Sequence, residues 1–185
     1  MVHGQIYNFS PNSFIWPRER QQVEAAVGNL GKKTWICKPA CSSQGRGIFL
    51  IKSMTEINSE APYVVQEYIE KPMLIGGYKF DIRLYVLVTS FRPLEVFLYK
   101  RGLARFSTQK YQDASLDNLY AHLTNASINK RSDSFLNDKA VIGSGSKWTL
   151  SRLFTYLEEN GVKVKPLWSK YCFFYISFKL ESKRL

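Results

Sequence analysis

A lysine and two glycines lie close together in the stretch KPACSSQGRGIF, which begins at Lys38. Glycines let backbone N–H groups turn toward an anion without a Cβ in the way, and a nearby lysine adds positive charge. Lys38, Gly45 and Gly47 therefore suit a bound phosphate. The stretch is neither a Walker A loop nor a GxGxxG motif. Taken alone, Gly-x-Gly before a strand is more typical of a hairpin turn.

Charged residues alternate with apolar ones in the stretch YKFDIRLYV, which begins at Tyr78. Because strand side chains alternate between faces, Lys79, Asp81 and Arg83 are expected on one face of a strand. By themselves, three such charges also fit a solvated, ion-paired sheet face.

The residues that would position these groups have the pattern of short strands. TWIC, IFLI and YVVQEYI are β-branched or apolar runs, and the residues from Tyr78 to Tyr99 form two long runs around a proline-containing turn, which predicts a central hairpin. RERQQVEAAVGNLG predicts a short helix that ends at glycine, and Ser53 and Glu56 have capping-box spacing.

Helical periodicity returns later in the chain. Leu150, Leu153, Phe154 and Leu157 predict an amphipathic helix before Gly161, whereas YAHLTNASINK is polar and predicts a loop.

Composition limits the possible classes of protein. The chain has 185 residues, 45% of them hydrophobic, which suits one sizeable core. We expect a soluble, intracellular protein, since we see no signal peptide and no apolar run near the ~20 residues that span a bilayer. Three cysteines without metal-ligand spacing predict free thiols. The net charge of +11 favours polyanionic partners such as acidic protein tails, nucleotides or nucleic acids.

Several motifs occur in a fixed order along the chain, and together they are more specific than any one of them. They are Lys38, the QGRG loop, VVQEYIEKPMLIGG, KFDIRLYVLV, GLARFS and HLTN at residues 122–125. This set resembles the tubulin tyrosine ligase-like family, in particular its polyglutamylating branch. The resemblance implies an α+β fold with an ATP-grasp-like core and a largely antiparallel sheet, incomplete at both ends. It divides the chain into a lead-in and short helix (1–33), a partial catalytic domain (34–168) and a divergent tail (169–185).

The resemblance also implies roles for individual residues. The nucleotide would contact Lys38, Gln44, Gly45, Arg46, Gly47, the adenine-reading segment Gln66, Glu67, Tyr68 and Ile69, then Lys79, Phe80, Asp81, Thr124 and Asn125. The incoming amino acid would contact Arg105, Ser127 and Lys147, and the catalytic groups would be Arg83 and Arg105. Guanidinium groups suit phosphates and carboxylates, as a glutamate-binding pocket requires.

The implied reaction joins a carboxylate to an amine. ATP, with Mg²⁺, would phosphorylate a glutamate side chain on tubulin, and the amine of free glutamate would displace the phosphate. We expect binding to acidic tubulin tails or microtubules, no membrane or nucleic-acid partner, and a location in the cytoplasm and cytoskeleton, including a cilium or flagellum.

The family's metal ligands, an Asp and a Glu-x-Asn pair, have no counterpart before the resemblance stops at Trp168. Glu158 and Asn160 have the right spacing, but on a helix they point in different directions. We therefore expect no metal ligand in this chain, and weak ATP binding without glutamylation.

Two other functions remain open. One is a nucleotide- or microtubule-binding module without catalysis. The other is RNA binding, for which RGLARF lacks the aromatic residues that would stack on bases.

Overall fold

The computed structural model describes residues 10–28, 33–57, 60–112, 116–135 and 147–170. These fall into two compact units, Met1–Phe80 with Phe106–Ser146 and Asp81–Arg105 with Lys147–Leu185. In chain order the elements are β1 (Ser13–Trp16), α1 (Arg20–Gly28), β2 (Trp35–Pro39), β3 (Phe49–Ile51), a 3₁₀ helix (Met54–Glu56), β4 (Tyr63–Glu67), β5 (Leu74–Ile75), β6 (Tyr78–Arg83), β7 (Val86–Phe91), β8 (Leu94–Leu98), β9 (Leu103–Phe106), α2 (Leu119–His122), α3 (Ala126–Asn129), β10 (Lys147–Thr149) and α4 (Leu150–Glu159). Helices and antiparallel sheets together confirm the predicted α+β class.

The first unit contains a four-stranded antiparallel sheet in the order β1-β4-β2-β3. Alternation along β2 places Trp35 and Cys37 on one face and Ile36 and Lys38 on the other. The first face packs against α1 through Val23 and other buried residues of one cluster, namely Trp16, Val27, Ile51 and Val65. The sheet therefore has a helix-covered face and a second face that carries Lys38.

The second face of this sheet has its own apolar cluster. Ile36 and Leu50 from the strands pack with Tyr68 and with Leu123, which follows α2. Leu119 and Ile128 pack against the same cluster, so residues 119–128 approach the face on which Lys38 lies.

Local signals predicted several of these elements. α1 lies inside the segment predicted to be helical, and α4 begins at Leu150 with Leu153 and Leu157 buried. The capping box is confirmed: Ser53 Oγ accepts from the backbone N–H of Thr55, and the Glu56 carboxylate accepts from the backbone N–H of Ser53 at 2.8 Å.

The predicted loop YAHLTNASINK is wrong in part, because it contains the short helices α2 and α3. Each has only four residues, too few for hydrophobic periodicity to appear. They are held by tertiary bonds instead: the buried Asn129 side chain accepts from Thr108 N at 2.9 Å and donates to Leu123 O at 2.8 Å.

The predicted hairpin from Tyr78 to Tyr99 is also corrected. The turn at Pro93 does join β7 to β8, with Phe91 opposite Leu94. The first run, however, breaks after Arg83, so that β6 and β7 are separate strands. At the break, a Cβ on Gly102 would lie 2.6 Å from the Arg83 carbonyl oxygen, so a close approach of two backbones accompanies the change.

The second unit contains the β7–β8 hairpin and the antiparallel pair β9–β10. α4 follows β10 directly, and its N-cap Thr149 accepts from Arg152 N. Trp148, Leu153 and Leu157 are buried, and residues 164–170 are again helical. Within the described ranges, no helix is both long and apolar enough to span a bilayer.

Two cysteines in the first unit differ sharply in environment, which gives a testable prediction. Cys37 is fully buried, and burial raises its pKa to about 12, whereas Cys41 is exposed. In a Cys172→Ser background at pH 8, we expect a thiol reagent to modify Cys41 rapidly and Cys37 only after unfolding, because the thiolate is the reacting form. Equal rates for both thiols in the folded chain would contradict the buried position of β2.

The same pKa sets a pH dependence. A thiol whose folded-state pKa is raised stabilises the fold fully below its ordinary pKa of 9.0, and this stability is lost as the pH rises toward about 12.

Candidate functional site

Lys38 lies near the end of β2, on the face of the sheet opposite α1. Its Nζ donates to the side-chain oxygen of Gln66 at 2.6 Å, and partial burial lowers its pKa. Ile36 and Leu50 pack on the same face. The ammonium group is therefore held by a neutral amide in a partly apolar setting, where a phosphate would be a stronger partner.

The loop after β2 contains three residues in the left-handed region of backbone conformation. Gln44, Gly45 and Gly47 all have positive φ, at 61°, 82° and 72°. Ser42 Oγ donates to Arg46 O at 3.0 Å, which holds the loop closed on itself. Two N–H groups of the loop donate within it, from Arg46 to Ser43 O at 3.2 Å and from Ile48 to Gly45 O at 3.4 Å.

The loop is also attached to α3, which the sequence did not predict. Ser127 Oγ donates to the Gln44 carbonyl at 2.6 Å. A Cβ on Gly45 would lie 2.6 Å from Ile128 Cδ1 and 3.0 Å from Asn125 Cγ, so glycine is needed there for both space and φ. Asn125 and Ser127, predicted as nucleotide and amino-acid contacts, therefore lie against the glycine loop.

This attachment can be tested through the mobility of the loop. Ser127→Ala removes one hydrogen bond, worth about 0.5–1.5 kcal/mol, so the amides of residues 44–47 should exchange with solvent about two- to tenfold faster. Ser134→Ala, which removes an exposed hydroxyl from the same unit, is the control. Unchanged exchange in Ser127→Ala would mean that the loop is held without α3.

The predicted adenine-reading segment lies at the end of β4. The backbone N–H groups of Glu67 and Tyr68 donate to Asn12 O at 2.9 Å and Thr34 O at 3.0 Å. Ile69 is 60% exposed and, with Glu67 and Tyr68, borders a cavity of about 290 Å³. The edge of this segment is therefore accessible at Ile69, while two of its amides already have backbone partners.

Lys79 on β6 contacts the Tyr68 side chain. Its Nζ donates to the Tyr68 hydroxyl at 2.7 Å and lies 4.3 Å from the centre of the Tyr68 ring. The same hydroxyl lies 2.9 Å from Nδ1 of His122, which is 1% exposed. His122 is part of the HLTN motif, yet no chemical role for it was predicted. The signal available in the sequence was the position of His122, two residues before the predicted nucleotide contact Thr124.

The remaining predicted nucleotide contacts of the first unit have mixed positions. Phe80 packs on Phe106 with ring centres 5.7 Å apart, which is the geometry of a core residue. Thr124, two positions after His122 in the sequence, is buried. Arg46 is exposed in the glycine loop.

The second unit contains a separate group of predicted site residues. Arg105 holds the Asp81 carboxylate with two hydrogen bonds, Nε to Oδ1 at 2.8 Å and Nη2 to Oδ2. The hydrogen bond to Asp81 raises the pKa of Arg105 above its ordinary value. Lys147 on β10 lies directly opposite Arg105 on β9, so the two side chains share one face of the sheet. Arg83 is exposed and stacks over Tyr85, 5.5 Å from the ring centre.

The group in the second unit therefore combines a guanidinium already oriented by a carboxylate with a neighbouring ammonium. Such a pair can bind a further carboxylate. Across the part of the chain that the structure describes, no three His, Cys, Asp or Glu side chains lie together as metal ligands would.

Comparison with known proteins places this chain in a family. The profile of the tubulin-tyrosine ligase family matches residues 2–182, and the chain belongs to this family, as the motif order predicted. Human probable tubulin polyglutamylase TTLL2 is 46% identical over 176 residues, which are 92% of this chain and 30% of the relative.

Two further relatives are named for different activities. Mouse tubulin polyglutamylase TTLL6 is 44% identical over 165 residues, 88% of this chain and 20% of the relative. Mouse tubulin monoglutamylase TTLL4 is 38% identical over 167 residues, 89% of this chain and 14% of the relative. The chain therefore spans less than a third of the length of each of these relatives.

Proposed function

We propose that this chain forms the ATP- and glutamate-binding part of a carboxylate–amine ligase that glutamylates tubulin. Family membership and relatives named as tubulin polyglutamylases support the class of reaction. The observation that carries the proposal is the hydrogen bond from Ser127 on α3 to Gln44, which attaches the glycine loop to the segment that follows the HLTN motif.

The first unit suits the nucleotide. Lys38 supplies positive charge, and the loop of Gln44, Gly45 and Gly47 is a tight glycine-containing turn with positive φ at these three residues and no room for a Cβ at Gly45. The accessible edge at Ile69 suits an adenine, which pairs with backbone groups. In an ATP-grasp core, bound ATP would supply the phosphoryl group that activates the acceptor carboxylate. Among the described residues, no three His, Cys, Asp or Glu side chains lie together to hold the Mg²⁺ that this reaction would use.

The second unit suits the incoming amino acid. Arg105 is fixed by Asp81, and Lys147 adds a second positive charge on the same face. Glutamate carries two carboxylates, so two cations held by neighbouring strands would orient it and expose its amine. The net charge of +11 favours an acidic acceptor such as a tubulin tail, and a cytoskeletal location follows from that partner.

The proposal is tested by exchanging the matching segment of mouse tubulin polyglutamylase TTLL6 for this chain. We expect the chimera to transfer labelled glutamate to microtubules and its Lys38→Ala variant to lose the transfer. In parallel, ATP binding to the 185-residue chain is measured by calorimetry. ATP binding by the chain, together with a folded but inactive chimera, would identify a non-catalytic nucleotide-binding module instead.

Arg105 provides a test of the amino-acid pocket. In the chimera, Arg105→Ala should raise the KM for glutamate about tenfold or more, with a smaller change in the KM for ATP, because a charge-assisted contact to one substrate is lost. Arg101→Ala, an exposed arginine of the same unit, is the matched control. Equal effects on both substrates would make Arg105 a phosphate ligand.

A further inference from the structure

Three side chains of the first unit form a continuous polar connection. Lys79 Nζ donates to the Tyr68 hydroxyl, and that hydroxyl lies 2.9 Å from His122 Nδ1. Tyr68 and His122 are 8% and 1% exposed, and their rings meet edge to face. Buried polar groups of this kind are costly unless each donor meets an acceptor.

Counting protons fixes the direction of the connection. An ammonium group is only a donor, so the Tyr68 oxygen accepts from Lys79. The single phenolic proton can then point at His122 Nδ1, which accepts it as a neutral imidazole with its proton on Nε2. A protonated His122 would instead aim a second donor at the same oxygen.

We infer that His122 is a positioning residue, which acts through Tyr68 to hold the Lys79 ammonium in place for a phosphate of the bound nucleotide. This rests on the proposed function, because Lys79 is there a nucleotide contact. Lys79 has a flexible stem of four carbons, and a lysine that must be ordered during binding loses affinity. A fixed hydroxyl 2.7 Å from Nζ orders it beforehand.

The tautomer gives a test that does not depend on ATP. The chain has two histidines, so ¹⁵N-histidine NMR spectra of the wild type and of His3→Gln assign the His122 signals directly. We expect Nδ1 to have the shift of an unprotonated, hydrogen-bonded acceptor at neutral pH and to change in Tyr68→Phe. A proton on Nδ1, or no change in Tyr68→Phe, overturns the inference.

ATP affinity gives the second readout. Tyr68→Phe keeps the ring but removes the hydroxyl, and we expect its Kd for ATP to rise about threefold to tenfold. His122→Asn, which keeps an acceptor oxygen near the place of Nδ1, should lose less affinity than His122→Leu.

Tyr111→Phe is the matched control for a purely structural effect. The ring of Tyr111, like that of Tyr68, meets the His122 ring edge to face, with the ring centres 5.2 Å apart. Its hydroxyl, however, donates to Glu70 O at 2.6 Å. We expect similar thermal destabilisation in both variants and an unchanged Kd for ATP in Tyr111→Phe alone. Equal losses of affinity in both variants would overturn the positioning role. A wild-type chain that binds no ATP would overturn the proposed function and this role together, and the NMR result would still report the tautomer.

Discussion

Replacing Lys38 with alanine is expected to lower the affinity of the chain for ATP by about tenfold to a hundredfold. A charge-assisted hydrogen bond contributes about 1.5–3 kcal/mol, and each 1.4 kcal/mol corresponds to about a factor of ten in Kd. Lys38 is partly buried and its Nζ donates to the neutral Gln66 side chain, and among the described residues no carboxylate forms a salt bridge with it that would compete with a phosphate.

Calorimetric titration with ATP checks this result, and Lys163→Ala is the control. Lys163 is exposed, and its replacement removes the same charge from the chain. If both variants lost the same affinity for ATP relative to the wild type, net charge alone would govern binding. Unchanged affinity in Lys38→Ala would remove Lys38 and the glycine loop from the nucleotide site.

Replacing Trp35 with alanine is expected to have the largest effect on stability. Trp35 is 2% exposed and packs in the cluster between the first sheet and α1, with its ring 5.9 Å from that of Phe14. Truncating a buried tryptophan to alanine costs about 3–5 kcal/mol, because apolar contacts are lost and a cavity remains. For a chain of marginal stability, this is enough to abolish folding at 37 °C.

Chemical denaturation followed by far-ultraviolet circular dichroism measures the loss. Phe91→Ala is the control, since Phe91 is an aromatic residue that is 71% exposed and should change the free energy of unfolding by about 0.5 kcal/mol or less. Trp35→Phe, which keeps an aromatic ring, should lie between the two. A loss in Trp35→Ala as small as that in Phe91→Ala would contradict the α1-covered core.

Elements with strong local signals were predicted well from the sequence. The helix α4 has apolar residues at helical spacing, and the Ser53–Glu56 capping box is complete within four residues. Such signals depend on neighbours one or two turns away, and the fold leaves them unchanged. The same reasoning predicted the strands β2, β3 and β4, whose apolar runs are bounded by polar residues.

Elements that depend on distant partners were predicted poorly. The run from Tyr78 to Phe91 contains no glycine or proline, yet it divides at Leu84 and Tyr85, next to the place where the Arg83 carbonyl lies against Gly102. α2 and α3 were predicted as a loop because four-residue helices have no periodicity of their own. Asn129, which ties this region together, bonds to Thr108, 21 positions earlier in the chain.

The sequence by itself determined the family, through the order of its motifs, and the helices and strands that local patterns specify. Only the tertiary structure decided which side chains of those motifs meet. Ser127 reaches Gln44 across 83 positions, Tyr68 reaches His122 across 54, and Arg105 reaches Asp81 across 24. The physical reason is that local propensity and alternation set the direction of a side chain only within its own element. These contacts arise instead when whole elements pack against one another. That packing is driven by the burial of apolar surface, which the polar partners do not themselves supply.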